Sequence, residues 1–237
     1  MQRLQQMLYR MLGGNPRSSL ENEAWKRNMM REASEHDRQL KTPLKKLMVA
    51  GIDSETTGFS PEHGDEIISL AAAKWNGSHN DEPFHSYVAI QSEIPPAVIE
   101  LTGITREHLY HAPPLDKVIP HFFNYIGSSV LLGYFVGHDI KFINYFLWKK
   151  YRSRITHRVL DLYGIMPLLD TRLENATFDE ACLHFGVVNS ARHTALGDAL
   201  AVMDLWRSVV EELEHQEVVT LEHLYQMLAK HRHTEKS

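Results

Sequence analysis

Apolar positions along the chain fall into two rhythms. Short continuous or alternating runs predict strands at Lys46–Asp53 ("KLMVAGID"), Glu66–Trp75, Pro83–Ile90, Ser129–His138 and, more briefly, Arg158–Gly164. A spacing of three to four predicts helices over Pro113–Gly127, Asp139–Tyr151, Thr177–Gly186, Thr194–His215 and Thr220–His231. Gly77, Ser78, Asn80 and Asp81 are turn residues, so the second and third strands are expected to pair antiparallel. Thr177 with Glu180 has capping-box spacing, and Gly186 is a stop. A meander followed by alternating strands and helices predicts an α/β fold, a mixed five-stranded sheet flanked by helices.

Ahead of the first strand the pattern changes. Leu4, Met7, Leu8, Met11 and Leu12 line one helical face, Gly13–Ser19 reads as a loop, and a polar helix follows that Thr42-Pro43 closes. The expected organisation is an N-terminal helical extension (residues 1–45), a main domain (46–215), and a C-terminal helix with an unstructured tail (216–237).

Composition narrows the class. The chain has 237 residues and a net charge of −5, so no global basic field marks a nucleic-acid binder, which leaves room for a local grip on a strand end. No run approaches the ~20 apolar residues of a membrane span, so no membrane association is expected. Cys182 is the only cysteine and is expected buried, which excludes an internal disulfide and suits a cytoplasmic protein. The first helix carries Arg3 and Arg10 and no acid before Glu21, a charge pattern shared with transit peptides. A short amphipathic helix that docks on the domain or on a protein partner is the plainer reading.

Two stretches carry chemistry. In "DSETTG", Asp53 and Glu55 are two apart, so an extended backbone points both to one face. Paired carboxylates repel unless a cation sits between them, and oxygen ligands favour Mg²⁺ or Mn²⁺. Thr56, Thr57 and Gly58 offer hydroxyls and close backbone approach to a sugar or phosphate end. In "RHTALGDA", His193 lies at the edge of a helix and Asp198 inside it, an arrangement for a general base beside a fixed carboxylate. Each stretch alone also reads as an ordinary polar strand exit or helix entry.

Together, "DSETTG" and "HTALGD" resemble the first and last motifs of the DEDDh 3′–5′ exonucleases, with "LTGIT" (Leu101–Thr105) and "VLDL" (Val159–Leu162) between them. The resemblance runs from about Leu47 to Trp206 and implies an RNase H-like fold. It implies hydrolysis of phosphodiester bonds at nucleic-acid 3′ ends with two Mg²⁺ or Mn²⁺ ions, releasing nucleoside monophosphates. Single-stranded DNA is the first-choice substrate and RNA the second. By the resemblance, Asp53, Glu55 and Asp198 are metal ligands and His193 is the general base. Thr56, Thr57 and Gly58 hold the terminal nucleotide, Phe59 packs on its base, and His138 touches the scissile phosphate, although a lone histidine at a strand end reads equally as structural.

The middle motif departs from the family. Its usual order is close to His-Asn-x-x-Phe-Asp, and the chain reads His138-Asp139-Ile140-Lys141-Phe142-Ile143. The expected aspartate is Ile143, and an acid stands four residues earlier, at Asp139. Three readings stay open: Asp139 is the fourth metal-site carboxylate; it is a helix N-cap beside a weakened site; or the domain is an inactive module that binds ends or a partner. The joint presence of Asp53, Glu55, His193 and Asp198 argues against the last. Lys141, Lys149, Lys150, Arg152 and Arg154 form a basic cluster with two readings, a path for a phosphate backbone and, the plainer one, a solvated helix end favoured by the dipole. Trp75, Trp148 and Trp206 are expected in the core or in helix packing.

Overall fold

The computed structural model describes residues 19–75 and 82–234. The amphipathic run at 4–12, most of the loop signal after it and the turn signal at 77–81 lie outside the described residues. The chain divides into two compact units, residues 1–39 and 40–237. In the first, the described part is helix: α1 runs Ser19–Lys41 and ends just ahead of Thr42-Pro43, as expected.

The second unit is built on a five-stranded sheet in the order β3-β2-β1-β4-β5. The central strand β1 (Val49–Thr56) pairs antiparallel with β2 (Ile67–Trp75), which pairs antiparallel with β3 (Phe84–Tyr87). Two short helices follow, α2 (Pro96–Thr102) and α3 (Arg106–Leu109), then α4 (Leu115–Ile126). On its other edge β1 runs parallel to β4 (Val130–Gly133). Helix α5 (Gly137–Tyr151) leads to β5 (Val159–Asp161), parallel to β4. The remainder is helical: α6 (Met166–Leu169), α7 (Phe178–His184), α8 (Ala195–His215) and α9 (Leu221–Thr234).

Burial on both faces explains the unbroken apolar run of β1. Ala50 and Ile52 pack with Val118, Ile119 and Phe122 of α4 and with Phe142 and Ile143 of α5. Val49 faces the opposite layer, where Met203, Trp206 and Val210 of α8 fill the core. Gly51 lets α8 come close. Its N–H lies 2.9 Å from Met203 Sδ, and a Cβ there would stand 2.8 Å from the Ala199 carbonyl oxygen. That approach lays the N-terminal half of α8 against the acidic end of β1.

Several expectations need correction. The fourth strand ends at Gly133 rather than His138, because Phe135 takes a left-handed conformation (φ 58°) and turns the chain. Apolar residues in a turn carry the same hydrophobic signal as a strand. Helix α5 accordingly starts two residues early. The C-terminal helix, set apart above as its own segment, packs Leu221 and Leu224 into the same core. It stays helical to Thr234, past the start of the tail read as unstructured. Trp206 is fully buried and Cys182 is buried, but Trp148 is 47% exposed. The capping box of α7 forms as expected, with Glu180 Oε2 accepting the Thr177 N–H at 2.7 Å.

Candidate active site

The alternation of β1 turns Asp53 and Glu55 toward α8. Asp198, in the first turn of α8, meets them there. One carboxylate oxygen from each of the three lies within 4.8 Å of the others. Ser54, between the two acids, points to the opposite face and donates its hydroxyl to Asp139 Oδ1 at 2.5 Å.

Asp139 sits buried in the first turn of α5. The capping position is Val136, which makes no side-chain cap bond, so the N-cap reading of Asp139 fails. The carboxylate instead accepts the Ser54 hydroxyl together with the backbone N–H groups of Ser54 and of Asp139 itself. Ile143, one turn later, is fully buried in the apolar layer with Ile52 and Phe122. That position belongs to the core and not to the site.

Crowding and burial shift these acids together. Burial holds the Asp53 carboxyl well above the usual carboxylate range, reinforced by Asp139, Glu55 and Asp198. Glu55 is pushed up to about 7 by burial and then by Asp198 and Asp139. Asp139 is pushed up to about 7 by burial, against the Ser54 hydrogen bond. Burial also raises Asp198, opposed first by Arg192. Acids this poorly hydrated and this close are unstable as a set of full negative charges unless a cation joins them. The all-oxygen donor set fits a hard divalent ion.

Arg192 and Asn189 went unassigned in the sequence reading. The Arg192 guanidinium pairs with Asp198 Oδ2 through one nitrogen and with Asp179 Oδ1 of α7 through Nε at 2.7 Å. It lies 5.2 Å from the Phe178 ring. Asn189 Nδ2 donates to Asp198 Oδ1 at 2.5 Å. An arginine directly before the motif histidine was the available signal. The contacts to α7 span a sequence distance that no local pattern reports.

His193 stands at the edge of α8 as expected, half-buried and left-handed (φ 61°). Its backbone N–H bonds the Asp198 carboxylate. Thr194 caps α8 by accepting the Gly197 N–H at 3.1 Å. Gly197 is needed for closeness: a Cβ there would stand 2.2 Å from the Ala191 carbonyl oxygen. The loop carrying Asn189, Arg192 and His193 can therefore lie flat on α8.

The strand exit supplies a second group of residues. Thr56 Oγ1 donates its single proton to the Gly58 carbonyl at 2.7 Å, so His138 Nε2, 3.1 Å away, is the donor to Thr56. Burial, then Lys141, lowers the His138 pKa. Thr57 Oγ1 accepts the Glu66 N–H at 2.9 Å. Phe59 is 82% exposed, with its ring 5.6 Å from that of His138 in an edge arrangement. Lys141 Nζ ties this segment to α5 through the Phe59 carbonyl and Glu62, both at 3.0 Å. The left-handed Phe135 that aims α5 is held by Asp161 Oδ1 (2.9 Å) and by the Tyr163 ring (4.2 Å).

Comparison with known proteins gives a consistent picture. The exonuclease family model of the RNase T type matches residues 50–206. DNA polymerase III subunit epsilon of Aquifex aeolicus is 33% identical over 163 residues, covering 68% of this chain and 80% of the subunit. The PolC-type DNA polymerase III of Clostridium perfringens is 29% identical over 177 residues, 73% of this chain but only 12% of the polymerase. Among solved structures, the nuclease domain of 3′hExo, described as a DEDDh family member bound to rAMP, superposes with a TM-score of 0.60 at 19% identity. That likeness covers 73% of this chain and 94% of the domain. Exonuclease I of E. coli in complex with a dT13 oligonucleotide gives 0.59 at 17% identity, covering 72% of this chain and 42% of that one. These two likenesses establish the RNase H-like exonuclease fold.

Proposed function

Because the chain belongs to the DEDDh-type 3′–5′ exonuclease family, we propose that it shortens single-stranded DNA from the 3′ end, one nucleoside monophosphate at a time. The observation that carries this reading is the convergence of Asp53, Glu55 and Asp198 within 4.8 Å beside His193. We assign Asp139 as the fourth carboxylate. Reading the middle motif four residues earlier puts a ring, His138, directly before the acid, Asp139. The departure at Ile143 then becomes a matter of register. Asp139 lies outside the three-carboxylate group but near enough to raise Asp53.

Asp53, Glu55 and Asp198 would hold the divalent metal, Mg²⁺ or Mn²⁺, with Asp139 at its margin and two ions expected. When bound, the metal supplies Lewis-acid polarisation of the phosphodiester and offsets the gathered negative charge. The chain's own residues do the rest. His193 accepts the proton of the attacking water as its oxygen bonds to phosphorus; the bond to the 3′-oxygen of the preceding nucleotide breaks, and that oxygen takes a proton from solvent to leave as a hydroxyl. Thr56, Thr57 and Gly58 present hydroxyl and backbone groups to the terminal sugar. Phe59 offers an exposed ring to the terminal base, a contact that tolerates any sequence. His138 fixes the Thr56 hydroxyl at that end through its Nε2 donor and sets its ring edge-on to Phe59.

The test is a 5′-labelled single strand incubated with Mg²⁺ or Mn²⁺. A ladder of shortening products is expected, and Asp53→Ala abolishes it. Folded protein that yields no ladder with either metal is an end-binding or scaffold module instead. An equal RNA ladder would broaden the substrate class.

A further inference from the structure

The exposed face of α5 carries a row of cations and rings leading away from the site. Lys141, Tyr145, Trp148 and Arg152 follow one another at intervals of four, three and four, so they share a face. Lys149 Nζ lies 5.0 Å from the Tyr145 ring. The Arg152 and Arg154 guanidiniums each lie 5.5 Å from the half-exposed Trp148 ring. Lys141 is engaged by Glu62, and Lys150, on the flank, by Asp116 at 2.6 Å. Among the described residues, Lys149, Arg152 and Arg154 have no carboxylate partner.

The helix dipole accounts for basic residues in the last turn of α5. It accounts neither for Arg154, which lies beyond the helix, nor for a tryptophan left half in water between two guanidiniums. Arg152 takes a left-handed conformation (φ 54°) at the helix end, folding the chain back so that Arg154 returns to Trp148. Nucleic acid matches such a surface: an anion at each step and flat rings between.

We propose that this face of α5 is the track for the substrate strand upstream of its 3′ end, with Trp148, Arg152 and Arg154 as its far anchor. The proposal rests on the exonuclease reading above, because the row starts where that reading places the terminal nucleotide. Nine residues separate Asp139 from Trp148, about 14 Å of helix. For a strand whose bases stay stacked at roughly 3.4 Å per nucleotide, the anchor meets it about four nucleotides from the end. The occupant is one strand of the substrate and not a separate ligand.

The experiment compares (dT)3, too short to reach Trp148, with (dT)12, using KM and kcat. The proteins are wild type, Trp148→Ala, Trp148→Phe and the pair Arg152→Asn with Arg154→Ser. Asparagine suits the left-handed position of Arg152. Wild type is expected to show a KM about tenfold lower on (dT)12 than on (dT)3, and Trp148→Ala and the arginine pair to lose most of that advantage. Their kcat, and their KM on (dT)3, stay at wild-type values, and Trp148→Phe restores most of the advantage. The arginine pair also flattens the salt dependence of (dT)12 binding by about one to two log units per decade of salt. Wild-type length dependence in every variant overturns the proposal and leaves the patch to a protein partner. An equal loss on both substrates overturns it too, since the effect then comes from the site.

Anisotropy of labelled (dT)12 without metal separates the two readings. If wild type cuts neither oligonucleotide but binds (dT)12 about tenfold more tightly than the variants do, the exonuclease reading falls and the track stands.

Discussion

Ser54 donates its hydroxyl to Asp139 at 2.5 Å, across the strand from Asp53 and Glu55. One residue of β1 thereby ties the acid of α5 to the two acids of the strand. Asp139→Asn keeps the shape and an acceptor for Ser54 and removes only the charge. It is expected to lower kcat by roughly 10- to 100-fold, or to weaken metal binding comparably, with the fold intact. Ser54→Ala leaves the charge and frees its position, so a smaller loss of about tenfold or less is expected. Steady-state rates and calorimetric Mn²⁺ titration check both. Wild-type values in Asp139→Asn would remove it from the site.

Ile143 stands where the motif spacing first places an aspartate. Its side chain is fully buried among Ile52, Phe122 and Phe142. Ile143→Asp puts a carboxyl group in that layer without a partner. The expected result is destabilisation of about 3 kcal/mol or more and no gain in rate. Denaturant midpoints and the exonuclease assay measure the two. A faster enzyme of normal stability would return the fourth carboxylate to position 143.

The contrast between Asp139 and Ile143 shows what the sequence could convey. The two acids of β1, the histidine at the edge of α8 and Asp198 inside it were legible, because spacing on one element fixes which side chains share a face. The mixed sheet was legible from the order of its patterns. The register at the β4–α5 junction was not, because the left-handed turn at Phe135 depends on Asp161 and Tyr163 of a later segment. Trp148 was misplaced for a related reason. Its apolar character predicts burial, and only the packing of α5 shows that its face of the helix is left uncovered.

Metal-free protein should be least comfortable at neutral pH. Glu55 and Asp139 are both held near 7 in the folded chain, against usual values of 4.5 and 3.8. Between those limits the folded state binds more protons than the unfolded state, so stability falls as pH rises. The stabilisation is complete below about pH 4 on this account and is lost as pH passes about 7. In chelator, Tm is expected to drop by about 5 °C or more from pH 5 to pH 7.5, beyond any general trend of the chain. Mn²⁺ restores it at pH 7.5 and does little at pH 5, where protons compete for the ligands. A Glu55→Gln and Asp139→Asn pair should flatten the profile.

Arg192 holds the Asp198 carboxylate with a cation of the chain's own, anchored at its other edge by Asp179. An arriving metal must share Asp198 with it. Arg192→Gln is expected to lower the metal-free Tm by several degrees, since a buried acid loses its counter-charge. The rise in Tm on adding Mn²⁺ should grow, because the competing charge is gone. Arg192→Lys should fall between. A larger metal-free loss with no change in the Mn²⁺ response would confine Arg192 to tying α7 to α8.

Gly197 separates placement of the histidine from stability of the helix. In an exposed helix, glycine to alanine is favourable by about 1 kcal/mol. Here the new Cβ would stand 2.2 Å from the Ala191 carbonyl oxygen, so the loop from Asn189 to His193 must lift. The helical gain offsets part of the strain, and Tm is expected to change by only a few degrees. The rate should not be spared, because a shift of about 1 Å in a proton acceptor costs on the order of 100-fold. Gly197→Ala is therefore expected to fold, to bind oligonucleotide with near wild-type affinity, and to lose about 100-fold in kcat. A matched fall in affinity and rate would point to collapse of the strand-end pocket. An unchanged rate would show that His193 need not sit where α8 now holds it.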